Sequence, residues 1–317
     1  MTGFPVARLP VWPAGGGSTE TLARDIADWV NSAALAALLH AFGSAMPGGD
    51  TGARLAYLDD FSIVWDSRGG GERLDARYAE RDEPTCQLIA AAVSALGLAG
   101  REQPAADRYD HVLILGGGPV TGRARSRFAA DLLDGGVTTG TVAGLGSLRP
   151  LPSTSAIEGV ELTEGDGMLI AVREAFPPSG DVTGRSGTTE AGHSWWVKSY
   201  PSTGGQVSVI AAPPTRPGLR ANTADTMLGW AELAARPTPD ERVLVVTTDL
   251  YVPFQHADAI MTLGLPYRCG IETVGFSTRT FHAWPKGPSH TGELLQELRS
   301  AIRSMRSLYT AAQRVAG

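Results

Sequence analysis

The sequence predicts an α/β protein with a doubly wound, mainly parallel sheet and a helical extension at the N-terminus. From residue 110 onward, apolar runs alternate with helical segments, as parallel strands alternate with their crossover helices. Before residue 105, apolar residues recur at helical spacing between glycine-rich breaks. We therefore expect an N-terminal helical region at 1–105 that packs on an α/β domain at 106–317.

The sequence pattern of the N-terminal region predicts two helices. Between residues 18 and 42 the apolar positions follow helical spacing, and Ser18 or Thr19 can cap the first turn. A second helix is expected in EPTCQLIAAAVSALGL, and a short strand near residues 61–65. The arginine-rich loop at 66–77 is interpreted as a solvated loop rather than as a contact to a ligand phosphate.

Five apolar runs predict the strands of the α/β domain. They are HVLILGGG, VTTGTVAGLG, QVSVIAAPP, RVLVVTTD and RCGIETVGF. The closing helix, TGELLQELRSAIRSMRSLYTAAQ, has an apolar stripe that should face the core. A segment at about 176–206 interrupts the alternation and is predicted to be a long loop. Its Trp195 and Trp196 suggest either a lid or a surface excursion with both rings packed down.

Composition and charge restrict the function classes. The chain of 317 residues has a net charge of −6, which argues against a general nucleic-acid binder, and two cysteines, too few for a disulfide framework. No apolar run approaches the roughly 18 residues of a membrane span, and no basic segment precedes an apolar core at the N-terminus. The six histidines lack metal-ligand spacing. We expect a cytoplasmic protein without nucleic-acid, membrane or metal partners; the sequence permits a homodimer.

Small, hydroxyl or cationic residues follow the predicted strands, at the end of a parallel sheet where ligands bind. After the first strand, LGGGPVTGRA offers backbone N–H groups to an anion. It lacks the lysine and hydroxyl of a phosphate loop, and the second strand ends without an acid for a ribose. Each strand end taken singly is typical of a turn or helix cap. Together they predict a pocket for phosphate or carboxylate, formed by Gly116, Gly117, Gly118, Gly144, Ser147, Arg149, Arg220 and Thr248.

Two carboxylates are the candidate acid/base groups of this pocket. Glu164 begins the helix after the second strand, and Asp249 follows the fourth strand. A carboxylate that faces a ligand can exchange a proton with it when burial adjusts its pKa. We therefore predict Glu164 and Asp249 as catalytic residues, provided that they face the pocket.

Six motifs occur in a fixed order on these strand ends. They are LGGG at 115–118, Arg125 or Arg127, AGLG at 143–146, TEGDGM at 163–168, RANTADT at 220–226 and VTTDLYVPFQHA at 246–257. In this order the chain resembles the YdcF/SanA/ElyC-like family over roughly residues 110–310. The resemblance implies a Rossmann-like sheet and, as suggested for YdcF, S-adenosylmethionine as a candidate cofactor.

The resemblance also implies ligand contacts from Arg125, Arg127, Asn222 and Thr223. The chain departs from the family pattern where Tyr251 replaces its histidine and where Phe254 or Gln255 occupies its arginine position. Tyr251 and Gln255 are therefore expected at the pocket.

We predict a YdcF-like protein that binds a small anionic metabolite: a nucleotide, an adenosyl compound such as S-adenosylmethionine, or a sugar phosphate. It is expected to be an enzyme of transferase or hydrolase type. The alternative is a non-catalytic ligand-binding or regulatory protein.

Overall fold

A computed structural model describes residues 3–69, 76–151, 161–216, 218–287 and 289–316. Among these residues, seven strands form one sheet in the order β3-β4-β5-β2-β1-β6-β7. The strands are β1 Arg108–Ile114, β2 Thr138–Ser147, β3 Thr183–Thr188, β4 Ser194–Ser202, β5 Gly205–Ala212, β6 Arg242–Thr248 and β7 Gly270–Phe276. The five strands predicted from the apolar runs are parallel, and β3 and β4 add an antiparallel edge.

Helices cover both faces of the sheet. The helices that follow the parallel strands are α5 Pro119–Asp134, α6 Glu164–Ala175, α7 Thr223–Leu233 and α8 Val252–Ala259. One hydrophobic cluster joins α5 and α6 to one face, and a second joins α7 and α8 to the opposite face. Along the parallel strands the order is third, second, first, fourth, fifth, which is the Rossmann order. The predicted doubly wound, Rossmann-like α/β class is confirmed.

The segment at about 176–206 is not the predicted long loop, because it contains the hairpin β3–β4. Trp196 packs against the cluster on the α5–α6 face and Trp195 against the cluster on the α7–α8 face. Neighbouring side chains of a strand point to opposite faces, so both rings pack on the sheet. The prediction failed because β3, with the sequence TGRSGT, lacks apolar alternation and has an exposed burial pattern.

The N-terminal region forms α1 Thr19–Val30, α2 Ala33–Ala41, α3 Thr51–Phe61 and α4 Glu83–Val93. The predicted first helix is divided in two because the Ser32 hydroxyl accepts the Leu35 N–H at 3.4 Å and starts a new helix. The predicted strand near 61–65 is wrong. This segment is a 3₁₀ turn in which Phe61 stacks on Tyr57 and meets Trp65 edge to face, contacts at helical spacing.

A long C-terminal helix connects the two regions. After a π-helical turn Ile260–Gly264 and the short α9 Leu265–Tyr267, the chain returns through β7 to α10 Thr291–Ala316. α10 packs on α8 and on α1, α3 and α4. Leu298, Ile302 and Met305 of its apolar stripe are inaccessible to solvent, as predicted. Among the described residues, no helix combines the length and apolarity that crossing a membrane would require.

Candidate functional site

The carboxyl ends of β1 and β6 form the topological switch point of the sheet. These strands are neighbours, but α5 leaves β1 toward one face and α8 follows β6 on the other. The two connections therefore separate and leave a crevice between them, which is where ligands bind in open α/β sheets. We call this place the β1–β6 crevice.

A glycine turn connects β1 to α5 at the crevice. A methyl group on Gly116 would overlap the carbonyl oxygen of Leu145, and one on Gly117 would lie 3.2 Å from Thr121. Only glycine therefore fits Gly116 without a shift of the backbone. Gly118 is the N-cap of α5 and has no side chain with which to accept the N–H groups of the first helical turn. Such N–H groups are available to an anionic ligand.

Arg125 connects the two sides of the crevice. Its side chain is 2% exposed. Its Nη1 donates to the carbonyl of Leu115 at 3.0 Å and to that of Gly116, while Nε donates to Thr248 Oγ1 at 3.3 Å. The guanidinium lies 5.4 Å from the centre of the Tyr251 ring. The structure thus brings together Gly116, Arg125, Thr248 and Tyr251, all predicted as ligand-binding residues.

Glu164 lies beside the same glycine turn. Its Oε2 accepts a hydrogen bond from Ser147 Oγ at 2.7 Å, and its backbone N–H donates to the Arg149 carbonyl at 2.8 Å. Ser147 Oγ also accepts the Arg149 N–H at 3.2 Å. Glu164 Oε1 would lie 3.2 Å from a methyl group on Gly116, and it accepts no hydrogen bond within the described parts of the chain. A carboxylate oxygen is therefore available at the crevice.

Other predicted residues have structural partners elsewhere. Arg127 is exposed on α5 and pairs with Asp131 at 2.9 Å. Gly144 lies in the core beneath α6, where a methyl group would come within 2.6 Å of Val172. Gln255 is buried and accepts a hydrogen bond from Thr247 Oγ1.

The start of α7 forms a second polar group, next to β5. The Asn222 side chain accepts the Asp225 N–H at 3.0 Å, and Asp225 Oδ2 accepts the Asn222 N–H at 2.8 Å. This is a capping box, a reciprocal arrangement that satisfies two N–H groups at a helix start. Thr223 is the first residue of the helix, and Arg220 is exposed before it. Because β2 separates β5 from β1, this group lies to one side of the β1–β6 crevice.

Asp249 follows β6 and is buried, and its hydrogen-bond partners differ from those of Glu164. Its Oδ1 accepts the Leu250 N–H at 2.8 Å and its Oδ2 accepts the Thr278 N–H at 3.3 Å. Burial raises its pKa to about 6, against the effect of these two hydrogen bonds; the nearby Glu102 also raises it, and Arg279 lowers it. Asp249 lines a cavity of about 90 Å³. This volume holds a few waters but not an organic ligand, since such ligands occupy roughly 300 Å³ or more.

The described residues offer no metal site, and Arg68 of the arginine-rich loop has its partner on α10. Within the described ranges, no group of three or more His, Cys, Asp or Glu residues is placed to hold a metal. Arg68 of the arginine-rich loop pairs with buried Glu297 on α10. Arg73 lies outside the described residues.

The comparisons with known proteins identify mycobacterial relatives. The family model described as Rv3785 N-terminal domain matches residues 13–97, the segment that contains α1 to α4. Three relatives are each 32% identical to the chain, over 96% of its length and 95% of theirs. They bear the names uncharacterized protein Rv3785 and uncharacterized protein MT3893, of two Mycobacterium tuberculosis strains, and uncharacterized protein Mb3814, of Mycobacterium bovis. No solved structure matches the chain.

Proposed function

The chain belongs to the Rv3785 family, and we propose that it binds a small metabolite with an anionic group and a hydroxylated body in the β1–β6 crevice. Nucleotides, adenosyl compounds such as S-adenosylmethionine, and sugar phosphates have this chemistry. The observation that carries the proposal is the Glu164 carboxylate, held by Ser147 beside the Gly116 turn.

The strand order supports the place of binding. In a sheet with the Rossmann order, the connections of the first and fourth strands leave on opposite faces, and a ligand can enter between them. Here those strands are β1 and β6, and polar groups of Arg125 and Thr248 meet at their ends.

The N–H groups at the start of α5 favour a ligand with an anionic group. Pro119 has no N–H, but Val120 and Thr121 follow it in the first turn, and their N–H groups cannot be capped by Gly118. The partial positive charge of a helix N-terminus adds to these donors. A phosphate or carboxylate at this turn would exchange hydrogen bonds with water for hydrogen bonds with the backbone.

The position of the Glu164 carboxylate favours a ligand that also carries hydroxyl groups. The Glu164 carboxylate lies beside Gly116 and would repel an anion placed directly against it, but it accepts hydrogen bonds from a ribose or sugar hydroxyl. In the proposal the anionic group of the ligand therefore lies at the N–H groups of Val120 and Thr121, and a hydroxyl lies at Glu164. Dinucleotide sites place such an acid at the end of their second strand. Here Glu164, at the start of α6, would supply the same acceptor through its contact with Ser147 at the end of β2. This combination favours a nucleoside or sugar phosphate over inorganic phosphate.

In this proposal the chain is an enzyme of transferase or hydrolase type, with Glu164 as the acid/base group at the ligand hydroxyl. Asp249, the other predicted catalytic residue, takes no part in this proposal, because the cavity of about 90 Å³ that it lines is too small for the ligand. A non-catalytic binding or regulatory protein is the other candidate function. This second function is favoured by Tyr251, which replaces the histidine of the YdcF/SanA/ElyC-like pattern and packs against Arg125.

Isothermal titration of the full chain with adenosine, S-adenosylmethionine, AMP and ribose 5-phosphate tests the proposal. We expect binding of at least one compound, and a dissociation constant raised about tenfold by Glu164→Gln, equivalent to 1.4 kcal/mol. Glu174→Gln is the matched control, because Glu174 lies on the same helix but is exposed and pairs with Arg123.

The same variants separate the two candidate functions. An enzyme should convert a bound compound, and Glu164→Gln should reduce that conversion more than it reduces affinity. A regulatory protein should bind without conversion. Equal affinity of Glu164→Gln and the unaltered chain, or no binding of any of the four compounds, would remove the proposal.

A further inference from the structure

The two edges of the sheet differ in how the chain covers them. At β7 the outer edge is covered, because the Ile271 N–H donates to the carbonyl of Trp12 at 2.8 Å and the Gly275 N–H to that of Arg101 at 2.9 Å. At the opposite edge, β3 is exposed at five of its six residues, and within the described ranges no strand pairs with its outer side. An uncovered edge of this kind is a template for a further strand.

The hydrogen bonds of the hairpin determine which backbone groups of β3 face outward. The Thr189 N–H donates to the carbonyl of His193 at 2.9 Å, and β3 pairs with β4 in the same register. Because the bonded positions alternate along an antiparallel pair, the odd-numbered residues of β3 bond to β4. The N–H and carbonyl groups of Gly184, Ser186 and Thr188 therefore point away from β4.

β3 also lacks the usual protection against edge pairing. Its sequence, TGRSGT, contains no lysine and no proline, and Arg185 is its one charged residue. Asp181 lies four positions earlier, where the chain still runs beside β4, because the Ser179 N–H donates to the carbonyl of Pro201 at 2.9 Å. Residues four apart along an extended chain share one face. Arg185 and Asp181 are both exposed, and neither forms an ion pair with another described residue.

We propose that two copies of the chain associate through β3, as antiparallel strands related by a twofold axis at Thr183. In this register the outward groups of Gly184 in one copy bond those of Val182 in the other. Asp181 of each copy lies directly opposite Arg185 of the other, and opposed charges of opposite sign stabilise a strand pair. A register centred on Gly184 forms no such ion pair, and one centred on Arg185 opposes two like charges. The contact uses the same strand of both copies and therefore closes as a dimer.

Sedimentation velocity of the full chain over a range of concentrations tests this inference. We expect the unaltered chain to show a monomer–dimer equilibrium. Arg185→Asp and Asp181→Arg each place two pairs of like charges across the contact, so each variant alone should be monomeric where the unaltered chain is dimeric. An equimolar mixture of the two variants restores both opposite-charge pairs and should dimerise again.

Two proline variants test the backbone contact. Gly184→Pro removes an outward N–H from each copy, and an added side chain there has no neighbour closer than 3.7 Å. The loss of two hydrogen bonds should raise the dissociation constant of the dimer by about tenfold or more. Thr188→Pro is the matched control, because it also removes an outward N–H but lies beyond the paired stretch, and it should leave dimerisation unchanged.

Three results would overturn the inference. The unaltered chain could stay monomeric at every concentration, which would leave the β3 edge to a strand of another protein. Either charge variant could dimerise as well as the unaltered chain, which would place the contact elsewhere on the surface. The equimolar mixture could stay monomeric, which would exclude the register centred on Thr183.

Discussion

Arg125 Nε donates to Thr248 Oγ1 at 3.3 Å, which ties the helix that follows β1 to the end of β6. The two residues are 123 positions apart, and both are almost fully buried. The guanidinium also holds the carbonyls of Leu115 and Gly116. A buried cation thus fixes the shape of the glycine turn at the switch point of the sheet.

Arg125→Met should reduce the stability of the fold substantially. Methionine keeps much of the apolar stem but cannot donate, so two carbonyls and the Thr248 hydroxyl lose a charged donor. Hydrogen bonds to charged groups contribute about 1.5–3 kcal/mol, and we expect a loss in this range. Urea unfolding of the variant measures it.

Arg127→Met is the control, because Arg127 is exposed and makes an i,i+4 pair with Asp131. Such surface pairs contribute about 0.3–0.5 kcal/mol. Similar losses in the two variants would show that the Arg125 contacts contribute little.

The sequence predicted the parallel sheet because each buried strand is a continuous apolar run bounded by turn residues. β1 and β6 are the clearest cases, since most of their residues are apolar and nearly inaccessible. The hairpin β3–β4 escaped prediction because its pairing depends on neighbours: β4 joins β5 over seven positions, and β3 joins only β4. A polar edge strand of this kind has no periodic signal of its own.

The site was predicted less completely, because sequence order identifies strand ends but not the direction of a side chain. Arg125 and Arg127 are two positions apart on α5, and helical geometry directs them differently. Arg125 enters the core, whereas Arg127 reaches solvent. The acid that the second strand lacks comes from Glu164, 17 residues beyond Ser147, and only the fold brings them together.

Asn222→Ala should lower stability without altering the β1–β6 crevice. The Asn222 side chain accepts the Asp225 N–H and starts α7. Removal of such a cap costs about 1 kcal/mol, and we expect a loss of this size in urea unfolding. Asn222→Asp keeps an acceptor oxygen and should retain most of the stability. If Asn222→Ala instead kept full stability but lost ligand affinity, the amide would act on a ligand rather than as a cap.

Gly144→Ala should destabilise the protein through overpacking. The added methyl group would lie 2.6 Å from Val172 Cγ2, in the contact between β2 and α6. Overpacking of a filled core typically costs about 1–3 kcal/mol, because the helix must shift away from the strand. Thermal unfolding measures the loss. Gly118→Ala is the control: nothing lies within 4 Å of the added methyl group, and the backbone there, at φ −63°, suits alanine. A loss in Gly118→Ala as large as that in Gly144→Ala would contradict the packing argument.

Asp249 should make stability fall as pH rises from about 4 to about 6. Burial raises its pKa from 3.8 to about 6 in the folded chain, so in this window the folded state holds a proton that the unfolded state has released. Its contribution to the free energy of unfolding is therefore complete below pH 4 and is lost as pH rises through 6, by about 3 kcal/mol in total at 1.36 kcal/mol per pH unit.

Urea unfolding of the unaltered chain and of Asp249→Asn between pH 4 and 7 measures the difference. His256 and Asp258, whose pKa values are also shifted by burial, remain in both proteins, so their effects cancel. Parallel pH profiles would show that Asp249 ionises as readily in the folded chain as in the unfolded one.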